Sequence, residues 1–134
     1  MTRIKDIYFL SENQQKAEAP YALDEWYNRL INKTVDEVDV KDICRMLSQN
    51  IFIDLGIKKA WEILEEDPLA GDIYDGQLLE LLYKIELDRF DDLTSVGKLL
   101  HHIHTRVPHL EWLSDEDQQE YTDLLIKFKR KVIR

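Results

Sequence analysis

The chain has 134 residues, 44% apolar and 34% charged, with 27 acidic and 18 basic side chains and a formal net charge of −9. That length suits one domain burying roughly two-thirds of the surface its unfolded form exposes, and the composition excludes a disordered chain. The acidic surplus argues against a nucleic-acid binder, because phosphate contacts need the opposite sign. A single cysteine, Cys44, excludes an internal disulfide and fits a reducing cytosol. Residues 1–6 lack the apolar core of a signal peptide, and no apolar run approaches the ~20 residues of a membrane span. A soluble cytoplasmic protein is therefore expected.

In chain order, Ile4–Leu10 fits either a short helix or a strand, and polar Ser11–Ala19 is expected to be loop-like. Pro20 then suits the first turn of a helix, where its missing N–H costs nothing. Leu23, Trp26, Tyr27 and Leu30 open a series of apolar stripes at i, i+3, i+4, i+7. Val40, Ile43, Cys44 and Leu47 form the second, and Ile57, Ala60, Trp61 and Leu64 the third. Leu78, Leu81, Leu82 and Ile85 follow, then Val96, Leu99, Leu100 and Ile103. Tyr121, Leu124, Leu125 and Phe128 close the series. Six segments with one apolar face each predict an all-α fold, a compact helical bundle of about six or more helices spanning residues 1–134 as one domain.

Boundary residues agree with that reading. Thr34 to Glu37 has capping-box spacing, and Asp39 suits the N-cap of the next helix. Pro68 disfavours the α region at Asp67 and predicts a helix stop there. Asp75 suits the next N-cap, and Ser114 the N-cap of the last helix, with Asp115, Glu116 and Asp117 at its positive end and Lys127, Lys129, Arg130 and Lys131 at its negative end.

The charge is unevenly placed. Between Glu62 and Asp92 eleven acids face only Lys84 and Arg89, which accounts for the whole net charge, while the rest of the chain balances. A field so concentrated points to a basic protein partner, and the competing reading is a solvated acidic face. Within this stretch the turn Asp67-Pro68-Leu69-Ala70-Gly71-Asp72-Ile73-Tyr74-Asp75-Gly76 is the most distinctive segment. Gly71 and Gly76 are expected to supply positive φ where the chain reverses. Tyr74, flanked by acids, suits an interface, with burial beneath the turn as the other reading.

Chemistry-bearing motifs are few. His101 and His104 have the i, i+3 spacing of helical metal ligands, with Asp91 or Asp92 as a third group, but no His-Glu-x-x-His motif accompanies them. The bland reading places His101, His102, His104 and His109 near a helix end, where they offset its negative terminus. Cys44 sits on an apolar stripe with no base nearby, as a buried structural thiol does. Phosphate-binding glycine loops, a nucleophile elbow and a calcium loop are all missing from the sequence. Trp26 and Trp61 are expected in the core, and Trp112 as a lid or interface anchor ahead of the last helix. No cofactor and no catalytic residue is expected.

The span Tyr21–Ile85 resembles the α-helical immunity proteins of bacterial contact-dependent growth inhibition (CDI) systems. The matching pieces are Asp24-Glu25-Trp26-Tyr27, Asp42 to Asn50, and above all Leu69-Ala70-Gly71-Asp72-Ile73-Tyr74-Asp75-Gly76-Gln77-Leu78-Leu79. The chain departs from the family pattern at Asp72 and Gln77, where glutamate is usual, and at Ser48, where a basic residue is common. The resemblance implies a non-enzymatic protein that binds and neutralises the C-terminal domain of a cognate toxin, expected to be a nuclease with a basic cleft. Combined with the acidic stretch, it points to Glu65, Glu66, Asp72, Tyr74, Asp75, Glu86, Asp88, Asp91 and Asp92 as toxin-binding residues. Two alternatives remain: a helical interaction subunit of another assembly, and a small metal-dependent hydrolase using His101 and His104.

Overall fold

The computed structural model describes residues 2–8 and 21–133, and the side chains of all of these except 21–24. The expectations for Ser11–Ala19 and Pro20 lie outside the described residues. The described chain is all-α, with no strand and one isolated antiparallel bridge, Arg3 to Thr34. It divides into two compact units, Met1–Asp42 and Ile43–Arg134, with the division falling inside one helix.

The first unit holds α1 (Ile4–Ile7), α2 (Tyr21–Ile31), a 3₁₀ turn (Val35–Glu37) and the start of α3 (Val40–Gln49). The ambiguous segment Ile4–Leu10 begins as a single helical turn. Its fully buried Ile4 donates its N–H to the Lys33 carbonyl at 2.9 Å. At Thr34 the expected capping box forms: the Glu37 carboxylate accepts from both the Thr34 N–H (2.9 Å) and its hydroxyl (3.0 Å), and the backbone bond holds Glu37 below the usual carboxylate range. Asp39 and Asp42 make a second box, each carboxylate accepting the other's backbone N–H, at 2.9 Å and 3.3 Å. Asp42 is 5% exposed and also accepts from Trp26 Nε1 (3.0 Å) and Lys33 Nζ (2.6 Å). Burial pushes its carboxyl up, but the bonds from Lys33, Trp26 and Asp39 outweigh it and hold the group low. The predicted burial of Trp26 thus comes with a partner for its only polar atom.

The second unit holds the rest of α3, α4 (Ile53–Glu66), α5 (Gln77–Tyr83), α6 (Leu93–Arg106) and α7 (Asp115–Ile133), with 3₁₀ turns at Leu87–Arg89 and Val107–His109. α4 packs against α5 and α6, and α6 packs along α7. Ile43, Met46, Leu64, Leu78, Leu82, Leu100, Ile103, Leu125 and Phe128 are all but fully buried. The predicted stripe of α5 is shifted: Leu79 is buried, and Leu81, expected there, is only half-buried. Trp61 departs from its expected core position. It is half-buried, and its Nε1 donates to Glu65 at 3.1 Å one turn on, a surface contact.

Cations seal two helix ends. Arg106 donates to the Glu65 and Glu66 carbonyls at 2.8 and 3.3 Å, capping α4. Lys131 donates to the Tyr83 and Ile85 carbonyls at 2.5 and 3.1 Å beyond α5, with its ammonium 5.0 Å from the Tyr83 ring centre. Both place positive charge at a negative helix terminus. Among the described residues, no helix is long and apolar enough to cross a membrane.

Candidate functional site

α4 ends at Glu66, and Asp67 leaves the helical region (φ −135°, ψ 92°), as the following Pro68 requires. The Asp67 carboxylate then accepts the Leu69 N–H at 3.1 Å. The chain folds back so that the Gly76 N–H reaches the Leu69 carbonyl (2.9 Å) and the Leu78 N–H reaches the Ala70 carbonyl (3.1 Å). Gln77 braces the tip: its Oε1 accepts the N–H groups of Asp72 (2.8 Å) and Ile73 (2.9 Å). Gln77 thus supplies the acceptor that the tip of the turn needs.

The two glycines act differently. Gly76 has φ +86° and precedes α5, and a side chain there would also press on the Tyr121 ring at 3.0 Å. Gly71 does not have positive φ, contrary to expectation. It is needed because the Tyr74 carbonyl lies 2.1 Å from where a Cβ would stand. Asp75 likewise is not the N-cap of α5. Gly76 occupies that position, and the first helical N–H groups go to the Tyr74 and Ala70 carbonyls instead.

Of the candidate side chains, Asp72, Tyr74 and Asp75 stand exposed on this turn. The Tyr74 hydroxyl donates to Glu80 Oε2 at 2.9 Å, and Glu80 Oε1 pairs with Lys84 at 3.3 Å. Partial burial and the adjacent Glu80 raise the Tyr74 phenol. Cys44 is buried, as expected, and burial raises its thiol, which disfavours the reactive thiolate. Glu65 and Glu66 are exposed at the end of α4, beside a shallow hollow formed with Trp61, Ser95, Lys98 and His102. Glu86, Asp88 and Asp91 are exposed around the 3₁₀ turn before α6. Asp92 serves the fold instead. It caps α6, accepting from the Thr94 N–H (2.9 Å) and the Ser95 hydroxyl (2.8 Å), which hold its carboxyl low. The nine candidates thus share one acidic stretch but not one pocket.

The histidines do not assemble a site. His104 faces Lys129, with Nδ1 2.6 Å from Nζ, and burial followed by that ammonium lowers its pKa. His101, His102 and His109 are exposed. Among the described residues no three His, Cys, Asp or Glu side chains come together as metal ligands.

A groove that the sequence did not reveal runs beside the turn. It encloses about 630 Å³ and has Ile73, Tyr74 and Gly76 on one side and Trp112, Leu113 and Tyr121 on the other. Trp112, expected as a lid or an interface anchor, is half-buried, donates Nε1 to the Val107 carbonyl at 2.9 Å, and lies 5.4 Å from the Tyr121 ring centre. Tyr121 is buried and donates its hydroxyl to the Pro68 carbonyl, so the last helix holds the turn from beneath. The groove's further acids, Glu111, Asp117 and Glu120, leave little signal in the sequence, because α7 begins acidic and ends basic, with five acids against four bases.

No curated protein matches the chain significantly. The profile of a family described as CDI immunity proteins matches residues 8–100, a wider span than the motifs that carry the resemblance, covering the whole Asp67–Gly76 turn and the first half of α6. With more than half of its length matched, the chain belongs to the family of CDI immunity proteins.

Proposed function

We propose that this protein neutralises the C-terminal domain of its cognate CDI toxin by occlusion, through the acidic surface built around the Asp67–Gly76 turn. In this reading all 134 residues act as one immunity-type domain in the cytoplasm, the toxin is a nuclease with a basic cleft, and the chain performs no chemistry of its own. The observation that supports it most is the exposure of Asp72, Asp75, Glu86, Asp88 and Asp91, whose carboxylates accept no hydrogen bond and form no ion pair among the described residues. Solvated carboxylates with no internal partner cost little to redirect toward a cationic surface, and their summed field speeds encounter by roughly 10- to 1,000-fold. Tight binding would further need about 1,200–2,000 Å² of buried surface with apolar or aromatic anchors at its centre, and Tyr74 stands within the acidic turn to serve as one.

Co-expression with the toxin domain encoded immediately upstream tests the reading. Cells should be protected and the two proteins should co-purify, whereas unprotected cells and no complex would remove it. The association rate should also fall steeply as salt rises, and reversing the sign of Asp72, Asp75, Asp88 and Asp91 together should slow it. A rate indifferent to salt and to those reversals would move docking away from this surface.

A further inference from the structure

We propose that the groove between the Ile73–Gly76 tip and the start of α7 seats a large apolar side chain of the toxin that is flanked by lysine or arginine. This rests on the toxin-binding reading above and narrows it to one contact. Three of the few large apolar side chains exposed among the described residues gather here: Leu113 at 90%, Ile73 at 79% and Tyr74 at 47%. A single exposed leucine is ordinary, but three around one concavity, backed by Trp112 and Leu124, are what a docking patch presents.

The charge selects the occupant. Asp75, Glu80, Glu111, Asp117 and Glu120 line the same groove, and no lysine, arginine or histidine does. Glu80 is already bonded to Tyr74 and Lys84, but a neutral or acidic segment would strip water from Asp75, Glu111, Asp117 and Glu120 and return no partner, which is costly. A purely polar cation would leave the apolar walls unused. A segment that is apolar at its tip and basic on its flanks satisfies both. The chain's own basic segment at the end of α7 is a weaker candidate from a second copy, because Lys129 is held against His104 and Lys131 is committed to the Tyr83 and Ile85 carbonyls, which leaves only Lys127 and Arg130 exposed there among the described residues. Leu113, Trp112 and the α7 acids also lie beyond residue 100, where the family match stops. The α7 wall of the groove thus stands outside the matched span, while its Ile73–Gly76 wall stands inside it.

The purified toxin domain encoded upstream, titrated against wild-type protein and four variants, decides the matter. Leu113→Arg and Ile73→Arg put like charge at the anchor while disturbing almost no packing. The triple variant Glu111→Lys/Asp117→Lys/Glu120→Lys reverses the groove's charge, and Glu86→Lys/Asp88→Lys reverses acids outside it. Loss of a central anchor should weaken binding by roughly 30-fold or more. Leu113→Arg and the triple variant should show that loss with unchanged helicity and melting temperature, and the Glu86/Asp88 variant a much smaller one. If wild type binds and the groove variants bind equally well, the inference is overturned while toxin neutralisation stands. If wild type itself does not bind, both fall. If sedimentation shows that wild type self-associates and Leu113→Arg makes it monomeric, the occupant is another copy of this chain, and the inference is again overturned.

Discussion

The hydroxyl of Tyr121 donates to the carbonyl of Pro68 across 2.6 Å, joining the middle of α7 to a turn 53 residues earlier. Both atoms are shut away from water, so each would be orphaned without the other. Burial raises the phenol, keeping the hydroxyl a donor throughout the ordinary pH range. Tyr121→Phe removes the donor and keeps the ring, and should cost about 1–2 kcal/mol in urea unfolding. A change within error would mean that water replaces the hydroxyl at Pro68.

The two glycines of the turn should fail in distinguishable ways. Gly76→Ala forces a side chain into the left-handed region, at about 1–2 kcal/mol. It also crowds the Tyr121 ring, so Trp112 fluorescence should report a disturbed neighbour. Gly71→Ala meets a backbone carbonyl rather than a flexible side chain and should be the costlier change, at about 3 kcal/mol. Equal losses would contradict the different constraints at the two positions.

Gln77 offers a test confined to the tip of the turn. Gln77→Ala should speed amide exchange at Asp72 and Ile73, the two N–H groups its side chain binds, while global stability falls by only about 1 kcal/mol because water can reach both. Gln77→Glu supplies a charged acceptor in the same place and should protect those amides at least as well. Exchange unaltered by either substitution would show that the tip holds itself.

Asp42 contributes to acid sensitivity in the first unit. Its folded carboxyl titrates below its unfolded value, so its contribution is complete above the ordinary aspartate pKa of about 3.9 and is lost as pH falls through the lower folded value. Asp42→Ala removes the buried carboxylate that accepts the Trp26 N–H and should cost about 2–3 kcal/mol at pH 7. Asp42→Asn retains an acceptor and should cost less, and it should remove this part of the decline in stability below pH 4. Urea titrations of the three proteins between pH 7 and pH 2.5 measure both effects.

Much of the fold was legible because it depends on local rules. The six apolar stripes became α2 through α7, Asp39 and Ser114 serve as N-caps, and α4 stops where Pro68 demands. What the sequence concealed depends on residues far apart along the chain. Arg106 on the α4 carbonyls and Lys131 beyond α5 read as ordinary charges on helix ends, since a cation's partner 40 or more positions away leaves no periodic trace. Gly71 looked like a residue of unusual φ and proved to be one of close approach, a distinction that only the path of Tyr74 could make. Leu113 was invisible as a surface feature because exposure is a property of its neighbours. The acidic stretch itself was plain, yet Glu80 and Asp92 within it serve the fold, and counting charges does not separate structural carboxylates from idle ones.

The bond from Tyr121 to Pro68 also orders events at the ribosome. Helices emerge in sequence, and the N-terminal unit and α4 can start to fold while later segments are still being made. The reverse bend after α4 lacks its brace until residue 121 is released, and the wall that Trp112 and Leu113 lend it arrives at the same late moment. A nascent chain therefore presents this groove unfinished, and if the proposed docking holds, protection of the cell should begin with completed molecules rather than with polysomes.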